Sequence, residues 1–210
     1  MDSGRFARCG SRRRAARHLS VGGQFSQVEQ RSWLRRAIQA ALVMPVAWSL
    51  PSAAGAADQA SEVFATFGGL ELRGRSPHYA DFGVGVFGLS QNVSAAGRIE
   101  VRAGEKWWFL GPAVGLVANT DGGVYGYGGV YADIAIGNVV VTPLAGLGGY
   151  RKGSGRDLGG VFQFRLSLGV SYEFADGSRL GLNVGHLSNA GTQPDNPGQE
   201  EVYLSYAIPF

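Results

Sequence analysis

A histidine, a serine and a glutamate near the C-terminus are of the types that together carry out acyl transfer. They lie in Leu180-Gly-Leu-Asn-Val-Gly-His186-Leu-Ser188-Asn-Ala-Gly191, a polar loop to Glu200, and the final run Glu201-Val-Tyr-Leu-Ser-Tyr-Ala-Ile-Pro-Phe210. A hydroxyl is a useful nucleophile only beside a base, and the base needs a partner that fixes its tautomer and stabilises its cation. In an extended strand, residues of like parity share a face. Leu180, Leu182, Val184, His186 and Ser188 therefore line one face, while Arg179, Gly181, Asn183 and Gly185 line the other. If parity resumes at Glu200, that residue joins Val202, Leu204, Tyr206, Ile208 and Phe210; Glu201, the competing acid, falls on the opposite face. An imidazole and a hydroxyl among hydrocarbon-facing side chains cost free energy unless hydrogen-bonded. A His-x-Ser pair alone is weak evidence, because most such pairs are structural and a membrane rim tolerates polar residues. With its placement, the set fits hydrolysis of an ester on a membrane lipid.

The elements that must hold these groups read as strands. After residue 57 the chain offers Gly-, Val-, Leu- and aromatic-rich segments at 79–90, 94–104, 107–120, 123–136, 139–150, 160–175, 178–190 and 201–210. Tight connections near Gly104-Glu105, Gly137-Asn138 and Asp176-Gly177 alternate with those near Gln91-Asn92, Thr120-Asp121-Gly122, Arg151 to Gly159 and Gly191 to Gln199. Short turns on one side and longer loops on the other predict an all-β, eight-stranded antiparallel up-and-down transmembrane barrel. Phe162, Phe164, Leu166, Leu168, Val170, Tyr172 and Phe174 alternate cleanly with Gln163, Arg165, Ser167, Gly169, Ser171 and Glu173. A soluble sandwich would alternate too. Arg165 and Glu173, however, could pair with Arg98, Glu100, Arg102 and Asp133 in a narrow lumen, and the chain ends on an aromatic residue, a pattern that resembles the C-terminal signal of outer-membrane proteins. The chain has thirty-four glycines, and those after residue 57 are spread through the strands rather than clustered as a linker, as small inward residues in such a lumen should be. Trp107 and Trp108 are expected at a strand end in an aromatic girdle; the competing reading packs Trp107 inward. Glu62 to Leu72 could add a ninth strand, but bacterial barrels favour an even count, so 57–78 reads as an N-terminal extension and 79–210 as the barrel. His78 reads as a surface residue.

The charge is divided. Nine Arg face two acids before residue 57, and ten Lys plus Arg face fourteen acids after it. The basic balance of the whole chain belongs to its first part and implies no nucleic-acid partner. Residues 1–56 read as a leader, with a secretory signal over about 29–56: Arg31, Arg35 and Arg36, the apolar run Ala37 to Leu50, and a small-residue cleavage site at Ala54-Gly-Ala56. That run is too short for a membrane-spanning helix and contains Pro45. The Arg-rich stretch before it suggests a true translation start near Val28. Cys9, the single cysteine, lies in the leader, which removes disulfides and thiolate metal sites from the remainder.

His186-Leu-Ser188-Asn189-Ala190-Gly191, the loop with Pro194 and Asn196, Glu200 and the terminal aromatic strand resemble the PagL-like lipid A 3-O-deacylases. The resemblance covers about 139–210, including Phe174-Ala-Asp-Gly-Ser, and is faint before that. It implies an outer-membrane, multi-pass hydrolase of lipid A in lipopolysaccharide, with Ser188 as nucleophile, His186 as general base and Glu200 as orienting acid. Asn196 matches a loop asparagine of the family's oxyanion site, and backbone N–H groups around Ala190 and Gly191 could add donors. Arg151, Lys152 and Arg156 could contact lipid A phosphates; equally, they could be an ordinary solvated loop. No cofactor and no metal are implied. The partners are the substrate and membrane lipid, and a homodimer stays open. Two other classes compete: a structural or adhesive barrel without catalysis, and an outer-membrane phospholipid esterase.

Overall fold

The protein is described from a computed structural model covering residues 61–210, so the leader expected over 1–56 lies outside the described residues. Eight walls close into an antiparallel barrel: β3 (Tyr79–Phe87), β4 (Ser94–Arg102), β5 (Gly111–Asn119), β6 (Val124–Tyr131) continued by β7 (Asp133–Ile136), β8 (Val139–Arg151), β9 (Phe162–Glu173), β10 (Arg179–Ser188) and β11 (Gln199–Pro209). β6 and β7 flank Ala132 and both pair with β8, so they form one wall. β11 pairs with β3 in a nine-residue register from Glu201↔Phe87 to Pro209↔Tyr79, which removes the free edge. Among the described residues there is no helix.

Alternation sets the two faces, as it must with a side-chain period of two. Outward-facing Leu166, Leu168, Val170, Leu182, Val184 and Leu204 are exposed, and inward-facing Arg165, Asn183, Glu201 and Tyr203 are buried. An apolar exterior around a charged interior is the inverse of a soluble barrel and is what hydrocarbon requires. In the lumen, Asp81 accepts from Arg98 (2.6 Å) and Arg102 (2.9 Å), and Glu201 accepts from Arg165 Nε (2.6 Å) and the Tyr203 hydroxyl (2.9 Å). Glu100 faces Arg165 at 3.7 Å and accepts from the Tyr127 hydroxyl at 2.6 Å. Lower down, Asp133 holds Lys106 and Arg179, each at 3.2 Å. Glu173 pairs with Arg179, its direct partner in the β9–β10 register, and with Arg73, rather than with the Arg98–Arg102 cluster. Gly115 lets the Tyr127 ring lie across β5 to reach Glu100 on β4, since a Cβ there would collide with that ring. A void of about 20 Å³ beside Asp81, Glu100 and Asn183 has room for roughly one water; side chains fill the lumen.

Two local readings change. Glu62 to Leu72 forms a hairpin of β1 (Val63–Phe67) and β2 (Leu70–Arg73), and β2 pairs with β7 below the start of β5. Its Gly68-Gly69 turn has positive φ at both residues, the pattern that suits a two-residue hairpin loop. The segment 107–120 begins its strand only at Gly111. Trp108 takes φ +60, and Trp107 turns outward to stack on Trp108 at 4.8 Å instead of packing inward.

Candidate active site

β10 carries His186 and Ser188 two positions apart on the outward face of its last turn of pleat. The β10–β11 register places Glu200 directly opposite His186, with Leu187↔Gln199 as the last pair before the loop. Directly opposed residues of an antiparallel pair have Cβ atoms about 4.5–5.5 Å apart, so the two side chains are brought together by the ladder itself. His186 Nδ1 and Glu200 Oε1 are 3.6 Å apart, both side chains about half exposed. That is ion-pair range for a protonated ring and longer than a formed hydrogen bond; such contacts tighten on the way to the transition state. Glu201 points into the lumen, fully buried against Arg165, and cannot serve the ring.

Ser188 is half buried and pairs across to Phe164 on β9. Its hydroxyl forms no hydrogen bond among the described residues, so it shares the face of His186 without a made contact to it. The next four residues turn sharply. Asn189 O accepts from Thr192 N at 3.0 Å, and Ala190 (φ +53) and Gly191 (φ +74) fill the centre with the positive-φ pair of a type I′ turn. An alanine in that region costs about 1–2 kcal/mol, and here the cost is offset by the buried Asn189. The amide of Asn189 donates to Leu158 O (3.0 Å) and Asp195 O (2.7 Å) and accepts from Gly191 N (3.0 Å). Asn196 Oδ1 accepts from Asn189 N at 3.0 Å, which leaves its Nδ2 as a directed donor. Of the two backbone donors expected at this corner, the Gly191 N–H is used within the turn, and the Ala190 N–H remains.

Two residues invisible to motif reasoning shape the site. Ser90, in the loop between β3 and β4, donates its hydroxyl to Glu200 Oε2 at 2.8 Å. Gly198 (φ +63) lies against the imidazole: a Cβ there would stand 2.8 Å from His186 Cε1 and 3.2 Å from Nε2. Pro197-Gly198 is a turn signal in the sequence, but nothing local shows that its glycine faces a histidine. Arg156 donates to Pro197 O (3.4 Å) and Gln199 Oε1 (3.1 Å), tying the β8–β9 loop to this segment. Lys152 pairs with Asp157 at 2.9 Å, and that bond with the Gly159 N–H holds the Asp157 carboxyl below its ordinary range. Arg151 is exposed and makes no ion pair among the described residues.

Two concavities lie at this rim, and the first borders the histidine. An apolar groove of about 420 Å³ runs down the outer wall beside His186 and Glu200, floored by Leu166, Leu168, Val184 and Val202. A polar hollow of about 790 Å³ lies between the loops, bounded by Asp157, Gly159, Asp195 and Asn196. No cluster of three or more metal-ligating side chains occurs among the described residues.

The fold and the rim define a closed antiparallel β-barrel with an apolar exterior and a histidine, a serine and a glutamate on the outward side of one strand pair. The family model for lipid A 3-O-deacylase (PagL) matches residues 20–209, and the chain belongs to that family. It is 38% identical over 53 residues to the lipid A deacylase PagL of Bordetella bronchiseptica, covering 25% of this chain and 30% of that protein. It is 36% identical over 67 residues to the lipid A deacylase PagL of Pseudomonas aeruginosa, covering 32% and 38%. These alignments span about a third of the length of the curated relatives. The crystal structure of the outer membrane enzyme PagL superposes with a TM-score of 0.49 at 21% identity, covering 63% of this chain and 99% of that one.

Proposed function

We propose that this protein is an outer-membrane esterase that removes the 3-O-acyl chain of lipid A, with Ser188, His186 and Glu200 as its triad. The observation that carries the reading is the register that sets Glu200 against His186 on the membrane-facing side, within one strand pair of Ser188. Glu200 at Nδ1 leaves Nε2 as the base. Nε2 takes the Ser188 proton as Oγ bonds to the ester carbonyl carbon. The oxyanion that forms accepts hydrogen bonds from Asn196 Nδ2 and the Ala190 N–H. Collapse breaks the bond to the 3-position oxygen, which leaves with the proton from His186. Water, deprotonated by the same ring, then frees the acid from Ser188. The apolar groove takes the acyl chain, while the polar hollow beside Asn196 receives the headgroup. Of these three loop cations, Arg151 is the one with no side-chain partner among the described residues and is assigned to a phosphate, since Lys152 pairs with Asp157 and Arg156 donates to Gln199 and Pro197.

The test is lipid A mass spectrometry from cells carrying the intact protein or Ser188→Ala. The intact protein should remove one 3-hydroxyacyl chain, and Ser188→Ala should remove none while keeping heat-modifiable gel mobility. Near-normal turnover by Ser188→Ala defeats the mechanism. An unchanged lipid A profile with the intact protein favours a structural barrel, and cleavage of glycerophospholipid instead identifies a phospholipid esterase.

A further inference from the structure

We infer that Ser90 is a positioning residue of this site: from across the seam that closes the barrel, its hydroxyl holds one Glu200 oxygen so that the other stays directed at His186. The inference rests on the triad proposed above. Glu200 has little else to orient it. Its side chain is 43% exposed and its contact with His186 is 3.6 Å long, and an exposed ion pair of this kind is too weak to fix a flexible carboxylate. The Ser90 bond is the short one, 2.8 Å to Oε2, and a hydrogen bond to an ionised acceptor is among the stronger kinds.

The loop that delivers Ser90 is itself fastened to the same residues. Gly88 N donates to Glu200 O at 2.7 Å, and Gln199 Nε2 donates to Gln91 O at 3.4 Å. Gly88 (φ +92) and Asn92 (φ +54) bend the chain so that Ser90 folds back over the start of β11. Ser90 and Glu200 are 110 positions apart in the chain and come together because β11 pairs with β3. The acid is therefore oriented by the first hairpin of the barrel, on the far side from the strand that carries the histidine.

The test compares Ser90→Ala, Ser90→Thr, Glu200→Ala and the Ser90→Ala/Glu200→Ala double variant as full-length barrels in detergent micelles. The His186 imidazole is titrated by NMR, and kcat and KM are measured on lipid A in mixed micelles. Ser90→Ala should lower the His186 midpoint part-way toward that of Glu200→Ala, because a released carboxylate swings into water and stops stabilising the imidazolium. It should lower kcat by roughly five- to tenfold, the rate equivalent of one hydrogen bond, and leave KM within about twofold. Ser90→Thr should restore both. In the Glu200→Ala background, Ser90→Ala should change neither, since the residue it positions is gone. A His186 midpoint that is unmoved or raised in Ser90→Ala overturns the inference, as does a change of equal size in both backgrounds. If the unaltered protein fails to cleave lipid A, the proposed substrate is wrong, and the titration still decides the role of Ser90.

Discussion

Glu200 and Glu201 are chemically identical neighbours with opposite surroundings, and their variants should separate activity from stability. Glu200→Gln keeps the shape and removes the charge that stabilises an imidazolium, so on the proposed triad turnover should fall by about 10⁴, the cost of neutralising a triad acid, with thermal stability unchanged. Glu201→Gln leaves the Arg165 guanidinium buried against a neutral amide; breaking such a pair costs about 3–5 kcal/mol, so its unfolding midpoint should drop while any folded fraction keeps the His186–Glu200 contact. Thermal melts beside turnover assays distinguish the two, and equal loss of activity without loss of stability in Glu201→Gln would contradict this division. Gly198 gives the second residue-scale test. A methyl group there meets both the left-handed backbone and the imidazole, and displacing a catalytic group by about 1 Å costs about 10²-fold. Gly198→Ala should therefore show a loss of that order in kcat with barrel mobility on gels intact.

At the scale of elements, β9, β10 and β11 form the wall on which the groove and the proposed triad sit. Their alternation makes a labelling prediction. Single cysteines at Leu166, Leu168 and Val184 should react with lipid-soluble reagents, and those at Ser167 and Asn183 should not, because the latter point into the filled lumen. The reverse pattern would require a one-residue slip, which would also move His186 and Ser188 into the lumen. The type I′ turn after Ser188 is the other element that matters. It lets β10 stop at Ser188 and lets β11 resume at Gln199, so the ten residues between them lie outside the ladder and do not disturb the His186–Glu200 pairing.

For the whole molecule, the eight-walled antiparallel barrel and its charged lumen were legible in the sequence, because strand alternation is local and each outward run is separated by turn chemistry. The strand segments around Phe162–Glu173 and Arg179–Ser188 illustrate this: every outward residue is apolar until His186, and the exception marks the candidate site. Less legible was the N-terminal hairpin, since residues 62–72 read as part of an extension, or as one added strand, unless the Gly68-Gly69 pair is given its turn geometry. Trp107 was likewise ambiguous, because parity fails where a strand begins late. Residue types, faces and the motif around His186 follow from short-range chemistry, and the sequence by itself determines them. The register that opposes Glu200 to His186, the lumenal partner that removes Glu201 from competition, the glycine against the imidazole and the serine across the seam belong to the tertiary structure. Each depends on the shear at which eight strands close on one another, and that stagger is a property of the whole ring that no single segment encodes.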